Sequence, residues 1–438
     1  MEMDSSSMKP QLKKMNTDLG WHPAKRIAFR FIFTYLFLYN FPFPVGLGTD
    51  PVTDFLAQKY NDLWHGTVTW IGKYILHLSY EISVSNGGGD TTYDYILTLC
   101  FLTLAVAVTV IWTFIDRKRT KYENLHQLLR VYVRFSLATS MISYGAVKVI
   151  RTQFSDIPLD RLVQPIGDAS PMGLLWTFMD ASESYTVFTG AIEMICGLLI
   201  AIRRTTSLGA ICCIGVLINV VMLNLSYDVP VKLYSFHLLV MAIFLIAPDL
   251  RRLADLLLFN RKVDPIEFRP FFERKWLHRS VVVVGTVFIL LIAGTNLFRS
   301  YQVRTTYLNA RSPLYGIWSV EEFAVDGEVH PPLITDETRW RRVIFHYPEA
   351  LAIQLMSGSQ QRFTLALDIE SKTLAIGKRD DPDWKADFFF EQPNSGLITL
   401  EGELDGRSIR AELHRADESR FLLTSRGFHW ISEDPFNR

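Results

Sequence analysis

Residues 207–247 read "SLGAICCIGVLINVVMLNLSYDVPVKLYSFHLLVMAIFLIA", two apolar runs separated by nine residues of another kind. A membrane crossing takes about 20 predominantly apolar residues at about 1.5 Å of rise each, and each run comes near that length. The nine between them, "NLSYDVPVK", hold Asn224, Asp228, Pro230 and Lys232. Pro230 prevents the first helix from running on. The stretch therefore predicts two antiparallel helices in lipid, with a polar turn where they leave it.

The same pattern recurs on both sides. Segments 27–45, 95–115, 128–150, 185–202, 207–225, 233–248 and 280–297 are predicted spans. The first follows Lys25 and Arg26 without a small-residue cleavage site, so it reads as a retained span. Lys and Arg divide unequally among the connections. The stretches before 27 and at 116–127, 203–206 and 249–279 hold 19 of them, whereas 46–94, 151–184 and 226–232 hold 5. Positive loops stay on the cytoplasmic side, which predicts an N-terminus inside and a C-terminus outside. The chain as a whole has 45 basic and 45 acidic residues, a balance that gives no nucleic acid a partner. Cys100, Cys196, Cys212 and Cys213 all fall in predicted spans without a C-x-x-C pair, so they read as small packing residues.

Three regions follow: a basic cytoplasmic N-terminus (1–26), a helical membrane domain (27–300) and an extracytoplasmic β-domain (301–438). In loop 46–94, "FLAQKYNDLWHGTVTWIGKYILHL" has helical spacing and reads as a helix along the outer membrane surface. The glycines of "SNGGGDTTYDY" permit a sharp turn, after which Asp90 or Thr91 caps the next helix. Loop 151–184 contains "SPMGLLWTFM", too apolar for water, and is expected to dip back onto the membrane domain. Segment 249–279 is amphipathic and basic, suited to anionic headgroups. Beyond 312, alternating runs from "YGIWSVEEFAV" to "RFLLTS" predict about nine short strands, forming an up-and-down antiparallel barrel or sandwich. Asp405-Gly406 marks one hairpin turn.

Ionisable groups in spans cost several kcal/mol unless paired or wet, and mark functional candidates. "TGAIEMICG" places Gly190, Glu193 and Gly197 on one helix face, with small residues beside the carboxylate. Ser136, Ser140, Tyr144 and Lys148 form a stripe at i+4 steps. Asn219 and His237 lie on the next two spans. In the predicted topology Tyr144, Lys148, Glu193, Asn219 and His237 share the outer half and are expected to converge on a cavity. Asn224, Asp228 and Lys232 form its rim, and "SPMGLLWTFM" helps to roof it. Arg130 and Arg134, near the inner end of their span, are expected to snorkel to headgroups.

From about 128 to 252, "SYGAVKVI", "FTGAIEMICGLLI", "LNLSYDVPVKLYSFHLL" and "APDLRRL" resemble the bacterial DoxX-like family of integral membrane proteins. Lys148 matches that family's Gly-x-x-Lys helix end, and Glu193 its Gly-x-x-Glu-x-x-x-Gly helix. The family includes membrane subunits linked to thiosulfate:quinone oxidoreduction, and its helix arrangement is similar to the membrane part of vitamin K-dependent gamma-carboxylase. The resemblance implies the plasma membrane of a bacterium and a cavity for a quinone-like or lipid-like molecule. It also implies a partner, either a membrane or periplasmic oxidoreductase or the membrane lipids themselves. No flavin, nicotinamide or haem motif and no metal-ligand spacing is present. A binding or redox-accessory protein is one expectation; a membrane enzyme with Lys148 as base, or a transporter, is the alternative. "GIW" (Gly316, Trp318) resembles the lipocalin G-x-W strand, which implies that Arg426 stacks on Trp318.

Overall fold

The computed structural model describes residues 20–44, 51–82, 89–265 and 274–437. The first 19 residues, the glycine turn at 85–88, and 266–273 of the basic inner segment lie outside the described residues. Helices occupy all seven predicted spans: α1 (Pro23–Asn40), α3 (Thr92–Ile115), α4 (Glu123–Val149), α7 (Glu183–Ala201), α8 (Thr206–Ser226), α9 (Lys232–Ile246) and α11 (Lys275–Val303). Between them lie α2 (Pro51–Tyr74), α5 (Leu159–Val163), α6 (Pro171–Asp180) and α10 (Leu250–Leu257). Among the described residues, five helical stretches are long and apolar enough to cross a membrane: 92–115, 183–201, 206–226, 232–257 and 275–308. Only 11–39% of their apolar windows is buried within the protein, so most of that surface needs lipid around it. Helices α1 and α4 fall outside this group because each carries several charged residues, Arg30, Arg134 and Lys148 being buried ones.

The chain divides into two compact units, residues 1–144 with 192–294, and residues 145–191 with 295–438. In the first, Leu137, Ala138, Ile142, Cys196, Ile200, Cys213, Met241 and Leu245 form the centre of a continuous apolar core. Gly197 lets α7 touch α4: a Cβ there would come within 2.9 Å of the Ala138 carbonyl oxygen. A second cluster, Val68, Ile82, Tyr93 and Ile96, joins α2 to α3. The four cysteines are free thiols. Arg130 is held by protein acceptors and Arg134 is buried within the helical unit, contrary to the snorkelling expectation. Arg130 donates to the Leu245 carbonyl and pairs with Asp249 at 3.7 Å, and buried Arg134 lies over the Phe135 ring. Sequence spacing could not show that α9 and its following turn bring acceptors to this level.

The second unit contains nine strands: β1 (Gly316–Val325), β2 (Glu328–Val329), β3 (Trp340–Phe345), β4 (Ala350–Leu355), β5 (Gln360–Asp368), β6 (Thr373–Gly377), β7 (Lys385–Asn394), β8 (Leu397–Leu404) and β9 (Arg407–Arg415). Every pairing is antiparallel between neighbours, and β1 also pairs with β9, closing an eight-stranded barrel to which β2 adds a short ribbon. The interior alternates along each strand, for example Ile409, Ala411 and Leu413 on β9. On β1 the inward set changes phase, from Trp318 and Val320 to Phe323 and Val325, because the register shifts between Val320 and Glu322. One extra residue, Glu321, makes a bulge and reverses which parity faces inward. Trp318, Phe323, Trp340, Phe345, Phe363, Phe388 and Phe390 fill the interior. Asp405 and Gly406 both have positive φ, 51° and 76°, the two-residue hairpin geometry expected from Asp-Gly.

Two expectations for this unit are corrected. "RFLLTS" is not a strand: Leu422–Ser425 is a helical turn, α12. Once β9 pairs with both β8 and β1, no sheet edge remains for another strand. Arg426 does not stack on Trp318; its guanidinium lies 3.7 Å from the Phe436 ring centre, and Arg415 is the cation whose strand register meets Trp318. The Trp318 indole instead donates to the Leu314 carbonyl at 2.9 Å.

Loop 151–184 groups with the barrel's unit, and its short helix α5 packs on the barrel wall. Leu159 packs with Ile317, Ile344 and Ala352, which lie on the outward face of their strands. Asp160 accepts from Arg362 at 2.6 and 2.9 Å, and Gln354 donates to the Val163 carbonyl. Leu159, with Leu162 and Val163, thus finds cover on a patch of the barrel wall.

Candidate functional site

The turn that opened the sequence reading is built as a receptor for a carboxylate. The backbone N–H groups of Lys232 and Leu233 begin α9 and point outward without intrahelical partners. Both donate to Asp90, each at 2.8 Å, and the Lys232 ammonium lies 3.6 Å from Asp90 and 2.8 Å from Asp228. Gly89 donates its N–H to the Pro230 carbonyl, fastening the segment before α3 to the same turn. Thr91 and Asp94 form the reciprocal cap of α3, so Asp90 caps α9 and leaves the nearer helix to its neighbour. Asn224, 5% exposed, donates to the Ser235 hydroxyl across the hairpin. The rim residues Asn224, Asp228 and Lys232 are therefore the struts that hold α8, α9 and the start of α3 together.

His237 lies one turn beyond this cap, 5% exposed. Its Nδ1 is 2.7 Å from the Leu233 carbonyl, which can only accept, so Nδ1 carries the proton. In the neutral ring Nε2 is then an acceptor, and it faces the Tyr35 hydroxyl of α1, which donates to it. Tyr39, one turn along α1, stacks on the imidazole with ring centres 3.9 Å apart and planes 7° from parallel. Beside this pair, Tyr234 donates to the Ser140 hydroxyl at 3.0 Å, and its ring lies 5.9 Å from that of Tyr144. Ser140 donates to the Ser136 carbonyl, and the Ser136 hydroxyl donates to Asn40. Tyr144 is also within electrostatic reach of Glu193, which is 4% exposed.

Helices α1, α4, α7 and α9 thus gather four tyrosines, two serines, an asparagine, an imidazole and a carboxylate in the first compact unit. The small residues expected beside Glu193 serve the predicted purpose. At Gly190 a Cβ would come within 2.6 Å of the Lys148 Cβ, and at Gly197 it would meet α4 again. Lys148 is buried in the last turn of α4, within the second compact unit. Asn219 is exposed on α8, apart from the buried hydroxyl and imidazole groups. Tyr35, Tyr39 and Asn40 escaped sequence reasoning. Their signal was present in "FTYLFLYN", where two tyrosines four residues apart and an asparagine interrupt an apolar helix. Among the described residues, no group of His, Cys, Asp and Glu is arranged to hold a metal ion.

Over 143 residues the chain is 30% identical to "Uncharacterized protein YwoB" of Bacillus subtilis (strain 168). The match takes in 32% of this chain and 87% of the relative. No family model matches the chain, and no solved structure does.

Proposed function

The chain belongs to the family of the Bacillus subtilis protein YwoB, and we propose that it is a multi-pass membrane protein that holds a quinone-like or lipid-like molecule against the Tyr35–Tyr39–His237 group. The observation that carries the reading is the Tyr39–His237 stack with its Tyr35 hydrogen bond, buried among helices of span-like composition. Flat aromatic faces suit a ring or an unsaturated chain. With its proton committed to Nε2, the Tyr35 oxygen can accept a hydrogen bond while the Tyr35–His237 pair exchanges a proton through Nε2, which suits a hydroxyl-bearing head group such as a quinol. The protein then serves a membrane redox or lipid process as an accessory, with a membrane or periplasmic oxidoreductase as partner. It resides in the bacterial plasma membrane with the N-terminus cytoplasmic and the barrel outside, as the 19-to-5 division of basic residues among the connections suggests.

The test is the inventory of small molecules that co-purify with gently solubilised full-length protein, identified by mass spectrometry. Tyr35→Phe and His237→Ala are expected to lower retention of one quinone-like or lipid-like species about tenfold, the equivalent of one lost hydrogen bond to a buried group. Their thermal melts should stay close to that of the parent. An unchanged inventory in both variants overturns the reading and leaves the group as helix packing.

A further inference from the structure

At the other end of α1 the buried groups carry positive charge. Arg30 is 2% exposed, in a helix of span-like position. Its guanidinium donates to the Tyr122 hydroxyl at 2.7 and 3.0 Å, to the Thr113 hydroxyl at 2.7 Å and to the Asp116 carbonyl at 3.0 Å. These acceptors are all neutral. The Asp116 carboxylate is engaged one step away, accepting from the Tyr122 hydroxyl at 3.0 Å. Tyr122 therefore separates the buried cation from the nearest acid, and one N–H of the guanidinium is left over. A buried charge without a direct counter-charge is costly.

Beside it is a cavity of about 150 Å³ lined by Pro23, Arg26, Ile27, Arg30, Thr113 and Arg117. Three of the six lining residues are arginines, and none of the six is acidic. Arg26 donates through Nη1 to the Arg119 carbonyl, which fixes the side chain, while its buried Nε has no partner. Arg117 lies over the Phe114 ring and Arg119 over that of Tyr122, so the surrounding cations are also anchored. A preorganised cluster of guanidinium groups with free donors, and no acid among its described lining residues, is the chemistry that recognises a phosphate group, which accepts several charge-assisted bonds at once.

We propose that the Arg26–Arg30–Arg117 cavity binds one phosphate group, either the headgroup of an anionic phospholipid or phosphate from solution. The bound phosphate supplies the counter-charge that Arg30 lacks. This site lies apart from the Tyr35–His237 group and is independent of the function proposed for it.

The experiment uses full-length protein in nanodiscs of phosphatidylcholine doped with phosphatidylglycerol, with the lipid retained per chain counted by native mass spectrometry. Arg26→Gln and Arg117→Gln are each expected to lower phosphatidylglycerol retention about tenfold, whereas Lys118→Gln, altering an exposed neighbour outside the cavity, leaves it unchanged. If millimolar inorganic phosphate displaces the lipid from the parent protein, the site accepts phosphate from solution; if it does not, the lipid headgroup is the ligand. Equal retention in all three variants, or no preference for phosphatidylglycerol over phosphatidylcholine, overturns the proposal. Arg30→Met is read separately, because loss of its network threatens folding.

Discussion

The barrel interior is apolar throughout, whereas the helical unit buries polar side chains beside its apolar core. Inside the barrel, 22 hydrophobic residues from the eight closing strands, with Leu314 ahead of β1, form one cluster whose large aromatics fill the centre. In the helical unit Arg30, Arg134, Ser136, Glu193, Asn224, Ser235 and His237 are all buried, while Leu99, Val110, Ile111, Ile218, Val284 and Leu290 stand exposed. A barrel in water gains stability by drying its interior. Helices in lipid gain nothing by moving apolar surface from lipid to protein, so their polar groups turn inward and find one another. The barrel interior is filled by its own side chains, whereas the helical unit shelters hydroxyl and imidazole groups able to exchange protons.

The largest effect is expected in the barrel core. Trp318 is 1% exposed at the centre of the apolar cluster. Trp318→Ala in the full-length protein is expected to cost about 3–5 kcal/mol through lost burial and a residual cavity. Protease susceptibility of 316–415 against denaturant reads this loss. If the two units are energetically separate, retention of the co-purifying molecule survives the substitution; a parallel loss at the Tyr35–His237 group would show that the barrel supports it.

A smaller effect is expected where Asp90 caps α9. Asp90→Ala removes two N–H acceptors and a counter-charge for Lys232, at about 1–2 kcal/mol. Hydrogen exchange at the Lys232 and Leu233 amides should accelerate, with exchange in the barrel strands unchanged. Unaltered exchange at those two amides would mean that the turn holds α9 without Asp90.

The smallest is a pH dependence confined to the barrel's unit. His346 is 6% exposed, with the Leu159 N–H directed at Nδ1 and the Arg311 guanidinium at Nε2. Burial, with the Arg311 charge beside it, pushes its pKa down to about 4. Unfolded, the ring takes a proton near pH 6.5, so the folded state binds fewer protons between that value and about 4. Stability is thus fully present above pH 6.5 and falls on acidification through that window. His346→Gln should flatten this part of the profile in thermal melts at pH 7.5 and pH 5. An identical slope in the variant would assign the acid sensitivity to other groups.

Much of this architecture is written in periodicity. Seven apolar stretches became helices, and alternation from 316 to 415 became strands, because burial against lipid or in a barrel acts on side-chain spacing that local sequence displays. The mistaken last strand at "RFLLTS" has suitable local alternation; closure of β1 on β9, a contact between residues about 90 apart, removed its partner. Glu193, His237 and the rim residues were legible as candidates because ionisable groups in apolar runs are conspicuous one helix at a time. Which of them meet was not. Asp90 capping a helix 142 residues away, Tyr39 stacking on His237 and Leu159 covering the barrel wall depend on how helices cross and chains return. The sequence by itself determined element type, the two kinds of domain and the polar residues that spans must shelter, since each rests on local burial. Which groups meet was decided only by tertiary packing, where Gly190, Gly197 and the turn at Pro230 set which faces come together.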